Sequence, residues 1–254
     1  EHSLQIAHPQ DDSVVRFTRP HAHRIILRRS RGMAPNYSRP VSKGAGSGLL
    51  ALGGQLKSSI GYIPNDFLYI SEYLGNLDNF EVYERFTRTV SDFTAIFGQI
   101  PKALLTDNHP AYLSTQYGKE LSGKWGIPVF SIPHHKAHFA AVLGEHALFE
   151  QKDPVLGVVW DGTGYGEDGQ IWGGEFFKYE QGSISRVGQL EYYPWLSGDK
   201  MARESRLSLF SLIDVASALV REKFTNEEWR LFGQLKSANR LKTSSAGRLF
   251  DAAS

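Results

Sequence analysis

The sequence predicts an α/β fold with a mainly parallel sheet, and three observations carry that prediction. Between residues 102 and 148 two short apolar strands, "KALLTDN" and "IPVFSIP", alternate with two helical stretches across short connections, the pattern of strands joined by helical crossovers. Residues 78–98 place Phe80, Tyr83, Phe86, Val90, Phe93, Ile96 and Phe97 at steps of three and four, one apolar helix face that belongs in a core. The stretch "DPVLGVVWDGTGYGEDGQIWGGEFFKYE" then reads as strand, glycine- and aspartate-rich turn, and strand.

The remaining elements follow in order. Residues 1–40 hold the alternating run "SVVRF" and then "HRIILRRSRGMAPNYSRP", short strands leading into a basic, proline-bounded segment. Its "RRSRG" cluster suits an anion or a solvated linker equally well. "SGLLALGGQLKSSIGYI" has the form of a β-hairpin whose turn, with Gly53, Gly54 and Lys57, is able to bend backbone amides around an anion, although an ordinary hairpin has the same pattern. Asp107 and His134 each follow the carboxyl end of a strand, where open α/β sheets bind ligands. The helix starting at His134 carries Phe139, Val142, Leu143 and Leu148 as its core stripe. After the glycine-rich turn comes a further strand, "SISRVGQLEYY", and beyond Pro194 the chain turns helical through "DKMARESRLSLFSLIDVASALVREKF" and "NEEWRLFGQLKSA". The final run "GRLFDAAS" opens an apolar helix with nothing left to pack against, which predicts a domain truncated at its C-terminus.

Composition narrows the function classes. A chain of 254 residues with 41% hydrophobic and 22% charged residues is long enough to bury a real core. Its 28 basic and 27 acidic residues nearly cancel, so no global field draws it to nucleic acid or to anionic membrane. The apolar runs fall short of the roughly 20 residues a membrane span needs, and the polar start "EHSLQIAHPQDD" is no signal peptide, which makes the cytoplasm the expected location. Cysteine is absent, which removes thiolate nucleophiles and thiolate metal sites, so any metal is held by imidazole and oxygen.

Those ligand types occur together. His134 and His138 stand four apart at a helix start, one turn apart on one face, while His135 and Lys136 point elsewhere. The spacing suits a shared ion and suits hydrogen bonding at a helix start, and by itself leaves both open. The apolar strand "LGVVWD" delivers Asp161 beside the glycine-rich turn, and two imidazoles with one carboxylate suit zinc, iron or manganese with positions left for a substrate. The turn itself, Gly162, Thr163, Gly164 and Gly166, fits a phosphate cradle or a plain hairpin. Asp199 and Lys200 in "SGDKMARES" start a helix, with Asp199 suited to its N-cap or first turn.

Taken together, "DDSVVRF", "ILRRSRGMAP", "ALGGQLKSS", "LTDNHPAYLST", "PHHKAHFAAVLGEH", "VVWDGTGYGEDGQIWGGEFF" and "TSSAGRLFDA" resemble, in order and over nearly the whole chain, the HypF carbamoyltransferases of nickel–iron hydrogenase maturation. The resemblance implies an α/β ASKHA fold, the actin, Hsc70 and sugar-kinase architecture, in its TsaD-like form. It assigns residues 1–35 to the tail of a YrdC-like domain and residues 36–254 to an incomplete TsaD-like domain. "GDKMAR" is similar to the "FDKxAR" element of the TsaD family.

What the resemblance implies about chemistry is equally specific. Carbamoyladenylate, in which carbamate from carbamoyl phosphate is joined to AMP from ATP, gives its carbamoyl group to the C-terminal cysteine of a HypE-type acceptor. A divalent metal, zinc or iron, falls to His134, His138 and Asp161, with a further acidic ligand beyond residue 254. Lys136 stands where the family motif often has a third histidine. Asp161 and Lys57 take the catalytic roles. Gly53, Gly54, Lys57, Gly162, Thr163, Gly164, Gly166, Gly173, Gly174, Asp199 and Lys200 take the nucleotide. Neither nucleic acid nor membrane is an expected partner. The rival readings are a TsaD-like transferase making threonylcarbamoyladenosine in tRNA, and a non-catalytic nucleotide-binding module.

Overall fold

The computed structural model describes residues 10–34, 36–38, 46–213 and 218–254. The first nine residues of the polar start and residues 214–217 of the expected long helix therefore lie outside the described residues. The chain divides into two compact units, the first ending at Ile132 and the second beginning at Pro133.

In the first unit, β1 (Val14–Phe17) and β2 (Arg24–Arg28) form a two-stranded antiparallel sheet. The basic stretch after it is neutralised locally, with Arg28 3.1 Å from Asp11 and Arg31 3.5 Å from Asp12. A six-stranded sheet follows in the order β3 (Asn36–Ser38), β6 (Leu68–Ile70), β5 (Gly61–Ile63), β4 (Leu49–Ala51), β7 (Ala103–Asp107), β8 (Val129–Ile132). Only β4, β7 and β8 run parallel, and the pairings from β3 to β4 are antiparallel. The expectation of a mainly parallel sheet is thus corrected. Parallel pairing needs a crossover of a dozen or more residues, and only α1 (Phe80–Phe97) and α2 (Leu113–Trp125) supply one. The expected hairpin over residues 47–63 is present as β4–β5.

α1 is bounded as its sequence dictates. The Asn79 side chain caps the amides of Glu81 and Val82 at 2.9 and 3.2 Å, and Gly98 at φ 58° ends the helix in the left-handed conformation. Phe86 and Val90 join Leu50, Leu52, Ile60, Tyr62 and Leu104 in the core, with Tyr83, Phe93 and Phe97 half-buried against them. Phe80 and Ile96, expected on the same face, are 72% and 75% exposed. They occupy the first and penultimate positions, where the helix runs past the residues it packs on.

The second unit opens with α3 (His134–Glu145). Phe139 and Leu143 are buried against Val159, Trp172, Phe177 and Tyr179, but Val142 of the expected stripe is 48% exposed. β9 (Val155–Tyr165), β10 (Ile171–Glu180) and β11 (Ser183–Gln189) form an antiparallel meander. β13 (Lys242–Thr243) lies parallel to β10 and antiparallel to β12 (Tyr193–Pro194).

The helices after Pro194 are shorter than their sequence suggests: a single 3-10 turn at Gly198–Lys200, α4 (Ser205–Leu212), α5 (Ala218–Arg221) and α6 (Asn226–Ala238). α6 starts in a reciprocal capping box between Thr225 and Glu228. These helices enclose a second core of Trp195, Leu196, Met201, Leu207, Phe210, Phe224 and Phe232. α7 (Ala246–Ala253), expected to have nothing to pack against, sets Leu249 on that core and Gly247 against Gly162.

Burial separates residues that the helical period groups together. Phe86→Ala is expected to lower the unfolding free energy by about 3–5 kcal/mol, and Phe80→Ala to change it by less than about 0.5 kcal/mol, both read from urea titrations.

Candidate metal centre

Asp161 does not sit at the end of a strand. β9 continues through it to Tyr165, with Trp160 opposite Gly174 and Gly164 opposite Trp172. Residues 161–163 therefore face Gly173 alone, a β-bulge that turns the Asp161 side chain out of the ladder's regular alternation. One carboxylate oxygen, Oδ1, accepts the Gly162 amide at 2.6 Å. The other, Oδ2, is enclosed and has His134 Nε2 at 3.3 Å, His135 Nε2 at 3.5 Å and His138 Nε2 at 3.8 Å.

The ligand atoms of His134, His138 and Asp161 all lie within 4.8 Å of one another, with 3.1 Å between the two Nε2 atoms. An ion bound tetrahedrally at about 2.1 Å from nitrogen and oxygen separates its ligand atoms by about 3.4 Å. The observed 3.1, 3.3 and 3.8 Å bracket that value. An enclosed carboxylate oxygen ringed by ring nitrogens at distances long for hydrogen bonds is what a metal would complete. The donor set, two imidazoles and a carboxylate, suits zinc or iron.

His135 corrects the expectation that it points elsewhere. It is fully buried, approaches the same Asp161 oxygen, and lies beside Trp172 with 6.1 Å between ring centroids. The bulged strand passes across the first turn of α3, so two adjacent side chains of that turn reach one carboxylate. Room for this comes from Gly164, where a Cβ would overlap the His135 ring and come within 3.0 Å of His134. Lys136 forms a 2.7 Å ion pair with Glu167 instead.

Charge follows the geometry. Burial holds the His135 imidazole down to about 4, against the opposing pull of Asp161 and with the help of the His134 charge. Burial alone raises the Asp161 carboxyl, but the neighbouring His134, the Gly162 amide and the His135 charge outweigh it and leave the group lowered to about 2. Asp161 is an anion across the physiological range, with the neutral ring of the buried His135 beside it.

The other expected residues fall in several places. The Gly162 amide is engaged by Asp161, the Gly166 amide donates to the Gln170 carbonyl, and those of Gly173 and Gly174 donate to the buried Glu175 at 3.0 and 3.1 Å. Thr163 is exposed in the bulge, and Gly164 lies in the ladder opposite Trp172. Asp199 and Lys200 are exposed in the 3-10 turn, and α4 begins only at Ser205, so Asp199 does not start that helix. Lys200 is 3.4 Å from Glu204. In the first unit, Gly53 at φ 66°, Gly54 and the exposed Lys57 at φ 51° form the β4–β5 turn, and Asp107 ends β7 and accepts the His109 amide at 2.8 Å. Beyond His135, sequence reasoning gave no role to Glu175 or Ser245, although the latter lies in the quoted "TSSAGRLFDA".

Two family models match the chain: "HypF Kae1-like domain" over residues 45–145, and "Carbamoyltransferase, Kae1-like Domain, second subdomain" over residues 157–254. Between them they take in most of the chain. The chain belongs to the HypF family. The carbamoyltransferase HypF2 of Cupriavidus necator is 34% identical over 99% of the chain and 31% of its own length. A crystal structure of full-length HypF in the phosphate- and nucleotide-bound form superposes with a TM-score of 0.83 at 30% identity, covering 97% of the chain and 32% of that protein. T. kodakarensis HypF gives 0.80 at 29% identity, covering 96% and 34%. The HypF-type, ASKHA-class α/β fold expected from the sequence is therefore borne out, and the chain spans about a third of the length of the relatives it matches.

His135 supplies a pH test on the metal-free protein. Its folded value lies below the ordinary imidazole value of 6.5, so its contribution to stability is whole above pH 6.5 and is lost as pH falls towards 4. The ring is expected to stay neutral to about pH 4 in imidazole NMR, and His135→Leu is expected to remove that part of the acid destabilisation. A ring titrating at its ordinary value contradicts the burial described.

Proposed function

We propose that this chain provides the carbamoyl-transferring site of a HypF enzyme, which moves the carbamoyl group of carbamoyladenylate to the C-terminal cysteine of a HypE-type acceptor in the cytoplasm. The observation that carries the reading is the cluster of His134, His138 and Asp161, whose ligand atoms converge within 4.8 Å. Membership of the HypF family supports the class of reaction.

In the transfer, the acceptor's sulfur forms a bond to the carbamoyl carbon, the bond from that carbon to the AMP phosphate oxygen breaks, and AMP leaves with the electron pair. A divalent zinc or iron ion, when bound, supplies Lewis acidity at the carbamoyl oxygen. His134, His138 and Asp161 would hold it, and Asp161 supplies the single negative charge of the set. The chain has no cysteine, which fits a nucleophile brought by the partner. We assign phosphate binding to the turn of Gly53, Gly54 and Lys57 in the first unit, with the charge supplied by Lys57, because the amides of Gly162, Gly166, Gly173 and Gly174 are already engaged inside the second unit. Residues 1–35 are assigned to the end of a YrdC-like domain that makes the adenylate, and residues 36–254 to the TsaD-like domain. Near-neutral net charge supports a protein acceptor over tRNA or membrane.

The decisive assay gives the HypF enzyme carrying this chain ATP, carbamoyl phosphate and HypE, and weighs the HypE C-terminal peptide. The carbamoyl mass increment is expected on its cysteine, and His134→Ala combined with His138→Ala is expected to abolish it. An undiminished increment in the double variant removes the metal role. Threonylcarbamoylation of tRNA in its place favours the rival transferase.

A further inference from the structure

The segment "TSSAGRLFDA" stands out in the sequence, yet carbamoyl transfer assigns it nothing. Its start runs along the bulge that carries Asp161. Ser245 is fully buried, and its hydroxyl meets three groups at once: the carbonyl of Gly162 at 2.7 Å, the carbonyl of Asp161 at 3.2 Å, and the amide of Arg248 at 3.1 Å, the last as the N-cap of α7.

Its own backbone is fixed as firmly, with the amide donating to Thr243 Oγ1 at 3.0 Å and the carbonyl accepting the Tyr193 hydroxyl at 2.6 Å. Three backbone segments meet here without intervening side chains. A Cβ at Gly173 would lie 2.7 Å from the Asp161 carbonyl oxygen and 2.9 Å from Ser245 Cα, and one at Gly247 would lie 2.9 Å from Gly162 Cα. The preceding Ser244 hydroxyl binds Glu175, whose Oε1 also holds the amides of Gly173 and Gly174.

We infer that Ser245 is a positioning residue for the metal centre, acting through Asp161. A bulge has no regular ladder to set its orientation. The hydroxyl hydrogen given to the Gly162 carbonyl, together with the contact at the Asp161 carbonyl, holds the two peptides that flank Gly162, the first of which carries the amide bound by the carboxylate. Oδ1 is already committed to the Gly162 amide at 2.6 Å, so once the Asp161–Gly162 peptide is fixed, Oδ2 is aimed at the imidazoles. Ser245 touches neither ion nor substrate in this role. The inference rests on the metal reading proposed above and extends it from the ligands to their support, the shell whose loss commonly weakens metal binding by about 10–100-fold.

The test is a cobalt(II) titration of the full chain, followed by the visible absorption of the bound ion and by competition with zinc. Ser245→Ala is expected to weaken binding 10- to 100-fold and to change the cobalt spectrum. Thr225→Ala removes the N-cap of α6, far along the sequence from the bulge, and serves as control. Both variants lose a helix cap and are expected to melt earlier, but only Ser245→Ala is expected to lose metal. Should Ser245→Ala fold poorly, Ser245→Gly removes the same hydroxyl at a smaller capping cost and is expected to show the same loss. Wild-type affinity and spectrum in the serine variant overturn the positioning role while leaving the metal site standing. No cobalt or zinc binding by the wild-type chain overturns both.

Discussion

A carboxylate that faces three imidazoles has to be brought to them by a backbone that is itself held in place, and the bulge at residues 161–163 is where the second unit meets that constraint. β9 carries the side chain of Asp161 out of regular alternation, and the first turn of α3 presents His134, His135 and His138 to the same oxygen. Glycine is required on the strand side because the His135 ring fills the space a Cβ at position 164 would take. The Asp161 carboxyl is held below the ordinary carboxylate range and the buried His135 ring below the ordinary imidazole value, so an anion stands beside a neutral ring.

Behind this centre lies a buried ion pair that fixes the opposite strand. Glu175, fully buried, holds the amides of Gly173 and Gly174 with one oxygen and Arg186 at 2.6 Å with the other. Arg186 stacks on Trp172 at 4.0 Å and reaches Tyr192 at 3.0 Å. Asp168 closes the β9–β10 hairpin by accepting Trp172 Nε1 at 2.8 Å and the Tyr192 hydroxyl at 2.6 Å. A network satisfied at this level is costly to break on one side, since a lone buried charge costs about 3–5 kcal/mol. Here it secures the strand that faces the bulge, so the same polar groups that stabilise the hairpin also determine where Asp161 stands.

The sequence shows the side chains of the cluster more readily than it shows their support. His134, His138 and Asp161 could be read because helical spacing and an apolar strand each act over a few residues. His135 was misread because the helical-face argument treats α3 alone, whereas the strand crossing its first turn admits two adjacent rings. The glycines of "DGTGYG" illustrate a deeper ambiguity: a glycine that makes room for an imidazole and one that approaches a phosphate leave the same letter. Apolar periodicity similarly placed Phe80, Ile96 and Val142 in the core without knowing where each helix outruns its partner. Strand direction was misjudged where hairpins replace crossovers, and the helix after Pro194 broke up because continuous periodicity does not report the 3-10 turn at Gly198–Lys200.

The claim on which the rest depends is that Gly164, the first paired residue after the bulge, makes room for the imidazoles to meet Asp161. Zinc affinity of Gly164→Ala, measured by competition with a chromophoric chelator beside the wild-type chain, tests it most directly. The methyl group should push His135 and His134 off the carboxylate and weaken zinc binding at least about tenfold. Equal affinity in the two proteins would contradict the account.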